Sequence, residues 1–110
     1  MSKPEIVVVL ATFPDLVVGR KIARQLVERR LAACVNLNPG VTSIYRWDGK
    51  IEEETEVQGL IKTTRVGFEK LKAAIVDLHP YNTPEVLLVS VDGGAEGYLN
   101  WVDAEVREAE

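Results

Sequence analysis

One cysteine and one histidine are all that the 110-residue sequence offers of two residue types that commonly build metal and redox sites. Cys34 cannot pair within its own chain, so no internal disulfide staples the fold; a lone thiol suits a reducing compartment, and the reading is cytoplasmic. The same scarcity excludes a four-ligand Cys/His zinc site built from a single chain. Cations are outnumbered, 13 Lys+Arg against 17 Asp+Glu, for a net charge of −4. That leaves no surplus of positive charge to displace counterions from a phosphate backbone, and it argues against nucleic acid as a partner. Long apolar runs are missing too. The longest, Ile6 to Ala11, has six residues, whereas a membrane span needs about 20. It also falls short of the roughly 7–15 residues of a signal-peptide core, and Glu5 stands where a leader carries positive charge, so neither a membrane partner nor a secretory leader is expected.

What the sequence does hold is an apolar fraction of 46%, spread in patterns rather than runs. A chain of this length buries roughly two-thirds of its unfolded surface, enough for one domain over residues 1–110 to fold with no cofactor. Ile6 to Leu10 is β-branched and continuously apolar, which predicts a central strand covered on both faces. Thr12 to Asp15 breaks it, and Asp15 or Thr12 is placed to cap a helix. Val18, Ile22 and Leu26, with Ala23 and Val27, recur at helical spacing opposite Arg20, Lys21, Arg24 and Glu28, and predict an amphipathic helix ending near Arg30. Phe68, Leu71, Ile75 and Leu78 mark a second helix, stopped by Pro80. Val86 to Val89 is another apolar strand, and Tyr98, Leu99, Val102 and Val106 predict a terminal helix.

Between the helices, Ala33 to Trp47 and Lys50 to Thr64 read as two extended arms around Asp48-Gly49, a type I′ hairpin signal. Each arm counts 15 residues. At about 3.4 Å per residue such an arm runs roughly 50 Å, whereas a globule of this size is only about 34 Å across. The hairpin must therefore bend, overhang, or both. Asn38-Pro39-Gly40 is the place for a bend, because proline cannot donate to a ladder and glycine tolerates a bulge. A bare overhanging edge invites pairing with another chain, so self-association is expected. The order is α+β: a ferredoxin-like βαββαβ sandwich with an additional C-terminal helix, an antiparallel sheet with helices on one face, and a long hairpin between the second and third strands.

Several segments together resemble the CutA divalent-cation-tolerance proteins in order and spacing. They are Leu31 to Leu37, Pro39 to Tyr45 with Trp47, Gly49 to Glu52, Ile61 to Thr63, His79 to Tyr81 with Pro84-Glu85, and Tyr98-Leu99 with Trp101. The resemblance covers nearly the whole chain. It implies a non-enzymatic ferredoxin-like homotrimer whose hairpins wrap neighbouring subunits, akin in fold to the PII signalling proteins and linked to copper and other divalent metals. In some CutA proteins the histidine matching His79 shares a metal site with the residue before it and a cysteine ending the first strand. Those positions are Leu78 and Ala11 here, and neither side chain coordinates a metal. His79 and Cys34 remain as candidate metal ligands, and trimer symmetry can gather copies of one residue. The alternative is a PII-like small-molecule sensor or signalling module, with clefts between subunits in which Lys62, Tyr81 and Glu85 hold a ligand.

Other patterns carry less. Glu52, Glu54 and Glu56 share one strand face by alternation; alternate residues lie about 7 Å apart, and these acids are expected to solvate an edge or to pair with Arg46, Lys50 or another subunit. The turn sets Tyr45 against Glu52 and Trp47 against Lys50. Val57-Gln58-Gly59-Leu60 echoes the phosphate loop of acylphosphatases, but it falls inside a strand, with Thr63 where that family places an arginine.

Overall fold

Alternation governs the first strand. The structure, a computed structural model, describes residues 5–107. In β1 (Ile6–Phe13) the odd residues Val7, Val9, Ala11 and Phe13 are sealed completely, while Val8, Leu10 and Thr12 on the other face are only half-buried. α1 (Leu16–Glu28) follows, and Asp15 caps it by accepting the Val18 N–H at 2.9 Å. Thr12 is a strand residue instead, because β1 runs three residues beyond Leu10 to pair Thr12 and Phe13 with Gln58 and Val57.

The remaining elements are β2 (Cys34–Trp47), β3 (Lys50–Thr64), α2 (Phe68–Leu78), β4 (Val86–Ser90) and α3 (Glu96–Arg107). The four strands form one antiparallel sheet in the order β2-β3-β1-β4. Ile22 and Leu26 of α1 and Leu71 and Ile75 of α2 close over Val7, Val9, Phe13 and Ile61 to make the main core. α3 lies on the other face. Its Val102 and Val106 pack with Ile6 and Ala33 in a second, smaller cluster, and Ile6 points away from its neighbour Val7. The expected single helical layer is thus two helices on one face and α3 on one end of the other. Val8, Leu10, Leu60, Leu87 and Val89, joined by the register, make the rest of that second face. Leu87 is 54% and Val89 44% exposed. A strand that reads as covered on both faces is covered on one by its own chain.

Asp48 and Gly49 both have positive φ, 51° and 79°, as a type I′ turn requires. The bend is a bulge: Asn38 faces Gln58 and Val41 faces Glu56, so two residues of β2 oppose one of β3, and Gly40 takes a φ of 77°. β1 pairs with β3 only along Val57–Thr64. Beyond it the hairpin projects as a bare two-stranded ribbon, and the molecule measures 50 × 25 × 21 Å.

Candidate functional site

His79 closes α2 and is 7% exposed. Its Nε2 lies 2.7 Å from the Thr12 carbonyl oxygen, and the Tyr81 N–H donates to its Nδ1 at 3.1 Å. A carbonyl only accepts, so the Nε2 carries the proton and both ring nitrogens are committed to backbone. The ring is further fixed by stacking on Phe13, centroids 5.5 Å apart, and by a tilted contact with Tyr81 at 4.6 Å. Gly59 makes room for this stack, since a Cβ there would stand 2.9 Å from Phe13 Cε2. Close approach to Phe13 accounts for the glycine of the Val57 to Leu60 segment, which lies within β3.

Cys34 stands elsewhere. It opens β2 beside Lys62, whose Nζ is 3.9 Å from Sγ and also donates to Asn36 Oδ1. Cys34 and Lys62 align with Val8, four residues along β1 from the Thr12 that holds His79, an interval of about 13 Å. The structure therefore does not bring His79 and Cys34 together, and among the described residues no group of three or more His, Cys, Asp or Glu is placed to hold a metal ion. The two candidate ligands do not fit a copper site within one chain.

Of the three cleft residues, Tyr81 and Glu85 converge and Lys62 does not. They line a groove of about 660 Å³ between the ribbon and the α2–β4 loop, within the usual size range of ligand pockets. Tyr45, Trp47, Glu52, Glu54 and Glu56 form the ribbon wall; Pro80, Tyr81, Asn82, Thr83 and Glu85 form the opposite wall. Tyr45 faces Glu52 and Trp47 faces Lys50, as the turn predicts. Glu54 stays exposed and Glu52 half-buried, as a solvated edge would have them, and Glu56 alone is buried. The Tyr45 hydroxyl donates to Glu54 Oε1 at 2.8 Å, and the Tyr81 hydroxyl to Glu56 Oε2 at 3.0 Å. Glu56 is 7% exposed. Sequence reasoning placed these acids on one face but missed their junction with Tyr81; the one available signal was that period-two alignment.

Three acids of the groove, Tyr45, Tyr81 and Glu85, hold their protons harder than usual. The bond to Glu54 pushes the Tyr45 phenol from 10.0 up to about 12. Burial, then the bond to Glu56, holds Tyr81 above its ordinary value, and burial with the Glu56 charge raises Glu85. Burial and Cys34 raise Tyr98. All three tyrosines of the sequence are thus raised in the folded chain. Above pH 10 the folded state then binds more protons than the unfolded one, so this contribution to stability is complete below about pH 10 and is lost as pH climbs past it. A tyrosinate absorbance titration should show the native protein ionising well after the same protein in denaturant. Coincident curves would contradict the bonding described.

Fold and groove together define a ferredoxin-like α+β protein with an overhanging hairpin and a polar cleft at its root. The family model described as CutA1 divalent ion tolerance protein matches residues 7–105, and the chain belongs to that family. It is 50% identical over 95 residues to the divalent-cation tolerance protein CutA of Thermus thermophilus, covering 86% of this chain and 92% of that one. Among solved structures, CutA from Xylella fastidiosa aligns with a TM-score of 0.91 at 43% identity, covering 93% of this chain and 98% of the other. CutA1 from Oryza sativa aligns at 0.93 with 34% identity, covering 96% and 97%.

Proposed function

We propose that this chain is a non-enzymatic CutA protein that works as a homotrimer in the response to divalent metal ions, in the cytosol. The observation that carries the reading is the apolar surface one chain leaves open. Ile44, Trp47 and Ile51 on the ribbon are 66%, 58% and 62% exposed, and Leu87 and Val89 lie bare on the sheet. Apolar surface of this kind marks an interaction site, and sister copies would cover it. The relatives' name, divalent-cation tolerance protein, supplies the metal side. The separation of Cys34 from His79 speaks against a Cys/His nucleophile pair. Because His79 is committed to backbone, metal donors would have to be gathered across subunits. Titration calorimetry with copper and zinc tests this. Saturable heat that survives His79→Gln is expected; no saturable heat with either metal would overturn the metal side.

A second reading, a PII-like small-molecule module, is favoured by one observation: Tyr81 and Glu85 share a groove of ligand size with two further aromatic rings and three further carboxylates.

A further inference from the structure

His79 is the one histidine of the sequence, and its two ring nitrogens are used in opposite senses. Nε2–H donates to the Thr12 carbonyl at 2.7 Å, while Nδ1 accepts the Tyr81 N–H at 3.1 Å. Only a neutral ring does both, because an imidazolium carries two N–H groups and no acceptor. A proton added at Nδ1 meets the Tyr81 N–H head on, and one of the two donors has to leave. The bond to Thr12 and the stack on Phe13 tie the ring to β1. Tyr81 belongs to the irregular loop between α2 and β4, so its side of the contact is the one that yields.

That contact holds more than one turn of backbone. From the same loop the Tyr81 hydroxyl donates to Glu56 Oε2 at 3.0 Å. β1 pairs with β3 no further than Val57, which makes the buried Glu56 the first ribbon residue without a β1 partner. The Thr12 carbonyl, the His79 ring, the Tyr81 amide, the Tyr81 phenol and Glu56 thus form one chain of contacts, and it fastens the loop to the root of the ribbon. Imidazole is the side chain whose charge ordinarily changes between about pH 5 and 8.

We propose that His79 is a proton-operated latch: neutral, it holds the Tyr81 loop against the root of the ribbon, and protonated at Nδ1 it lets go of the Tyr81 amide and so of the bond to Glu56. The latch lies within one chain and works whether or not copies assemble. β1 brings no ionisable side chain to the ring, since none occurs from Ile6 to Phe13. Asp15, just beyond, is bonded to the start of α1, and Asp77 of α2 is exposed in a cleft with Arg29 and Lys70. From the loop and β3 the groups on the ring's side are the Tyr81 phenol, Glu85 and Glu56. Burial and then the Glu56 charge make Glu85 hold its proton harder than usual, so its titration has to be separated from that of His79.

The test follows the whole protein, labelled with nitrogen-15 in histidine and tyrosine, by NMR from about pH 8 to about pH 5. At the upper end the ring shows a protonated Nε2 and a bare Nδ1. As Nδ1 gains its proton, the Tyr81 amide shifts with the same midpoint, and its protection from hydrogen exchange, corrected for the intrinsic rate, falls about tenfold, the size of one lost hydrogen bond. Tyr81→Phe assigns the signal, and Tyr98 on α3 serves as the reference. Glu85→Gln leaves the coupling in place and His79→Gln removes it. A Tyr81 amide that stays unchanged while the ring titrates overturns the latch. So does a ring that takes no proton before the fold is lost, or a Tyr81 transition that His79→Gln leaves intact.

Discussion

Removing Tyr45 to Glu52 and rejoining the arms through an Asn-Gly turn is expected to dissociate the assembly and leave a folded remnant. The deleted stretch carries Trp47 and Ile51, 58% and 62% exposed in the lone chain, together with Tyr45 at 37%. Burying three such side chains against a neighbour stabilises association by about 5 kcal/mol per subunit, which is more than about a thousandfold in affinity. None of the three belongs to the main core, which rests on Val7, Val9, Phe13, Ile22, Leu26, Ile61, Leu71 and Ile75. Circular dichroism should keep its native shape while light scattering falls to the mass of one shortened chain. A variant that scatters as an intact oligomer would count against the ribbon as the contact.

Phe13→Ala is expected to be the most damaging single truncation near the groove. The ring is fully buried, stacks on His79 and fills the space beside Gly59. Deleting a buried phenylalanine side chain costs about 3–5 kcal/mol through lost burial and the cavity left behind. His79 then loses one of its two ring contacts. Urea unfolding at matched protomer concentration reads the effect, since self-association would contribute to apparent stability. A loss below about 1 kcal/mol would mean that the cavity collapses or that the stack is not part of the core.

Local chemistry made most of the fold legible. Asp48-Gly49 required a tight turn with positive φ at both residues, and Pro39-Gly40 allowed a bulge where the arms had to bend. Counting residues in the arms was enough to anticipate the overhang, because strand rise is nearly constant. The end of β1 was less visible. Thr12, Phe13 and Pro14 look like punctuation, yet pairing to Gln58 and Val57 keeps Thr12 and Phe13 in the strand. α3 went to the second sheet face because Ile6 and Ala33 offer it an apolar seat there, a preference that its own periodicity does not encode.

The groove was legible only in part. Tyr81 and Glu56 are 25 residues apart, and nothing in local spacing says that the turn after α2 lays its tyrosine over a ribbon carboxylate. The role of His79 was hidden for the same reason. A histidine before proline is visible in the sequence; the Thr12 carbonyl that takes its Nε2–H arrives from 67 residues away. Leu78 and Ala11 leave two positions of the transferred ligand set without donor side chains, and the geometry adds that the remaining pair, His79 and Cys34, stands apart.

The central proposal is that an open sheet face and an overlong ribbon are buried on sister copies. Sedimentation equilibrium of the intact protein at micromolar concentration tests it most directly. The account predicts one species of three times the 12.2 kDa chain mass. A well-folded particle sedimenting at 12.2 kDa would contradict it.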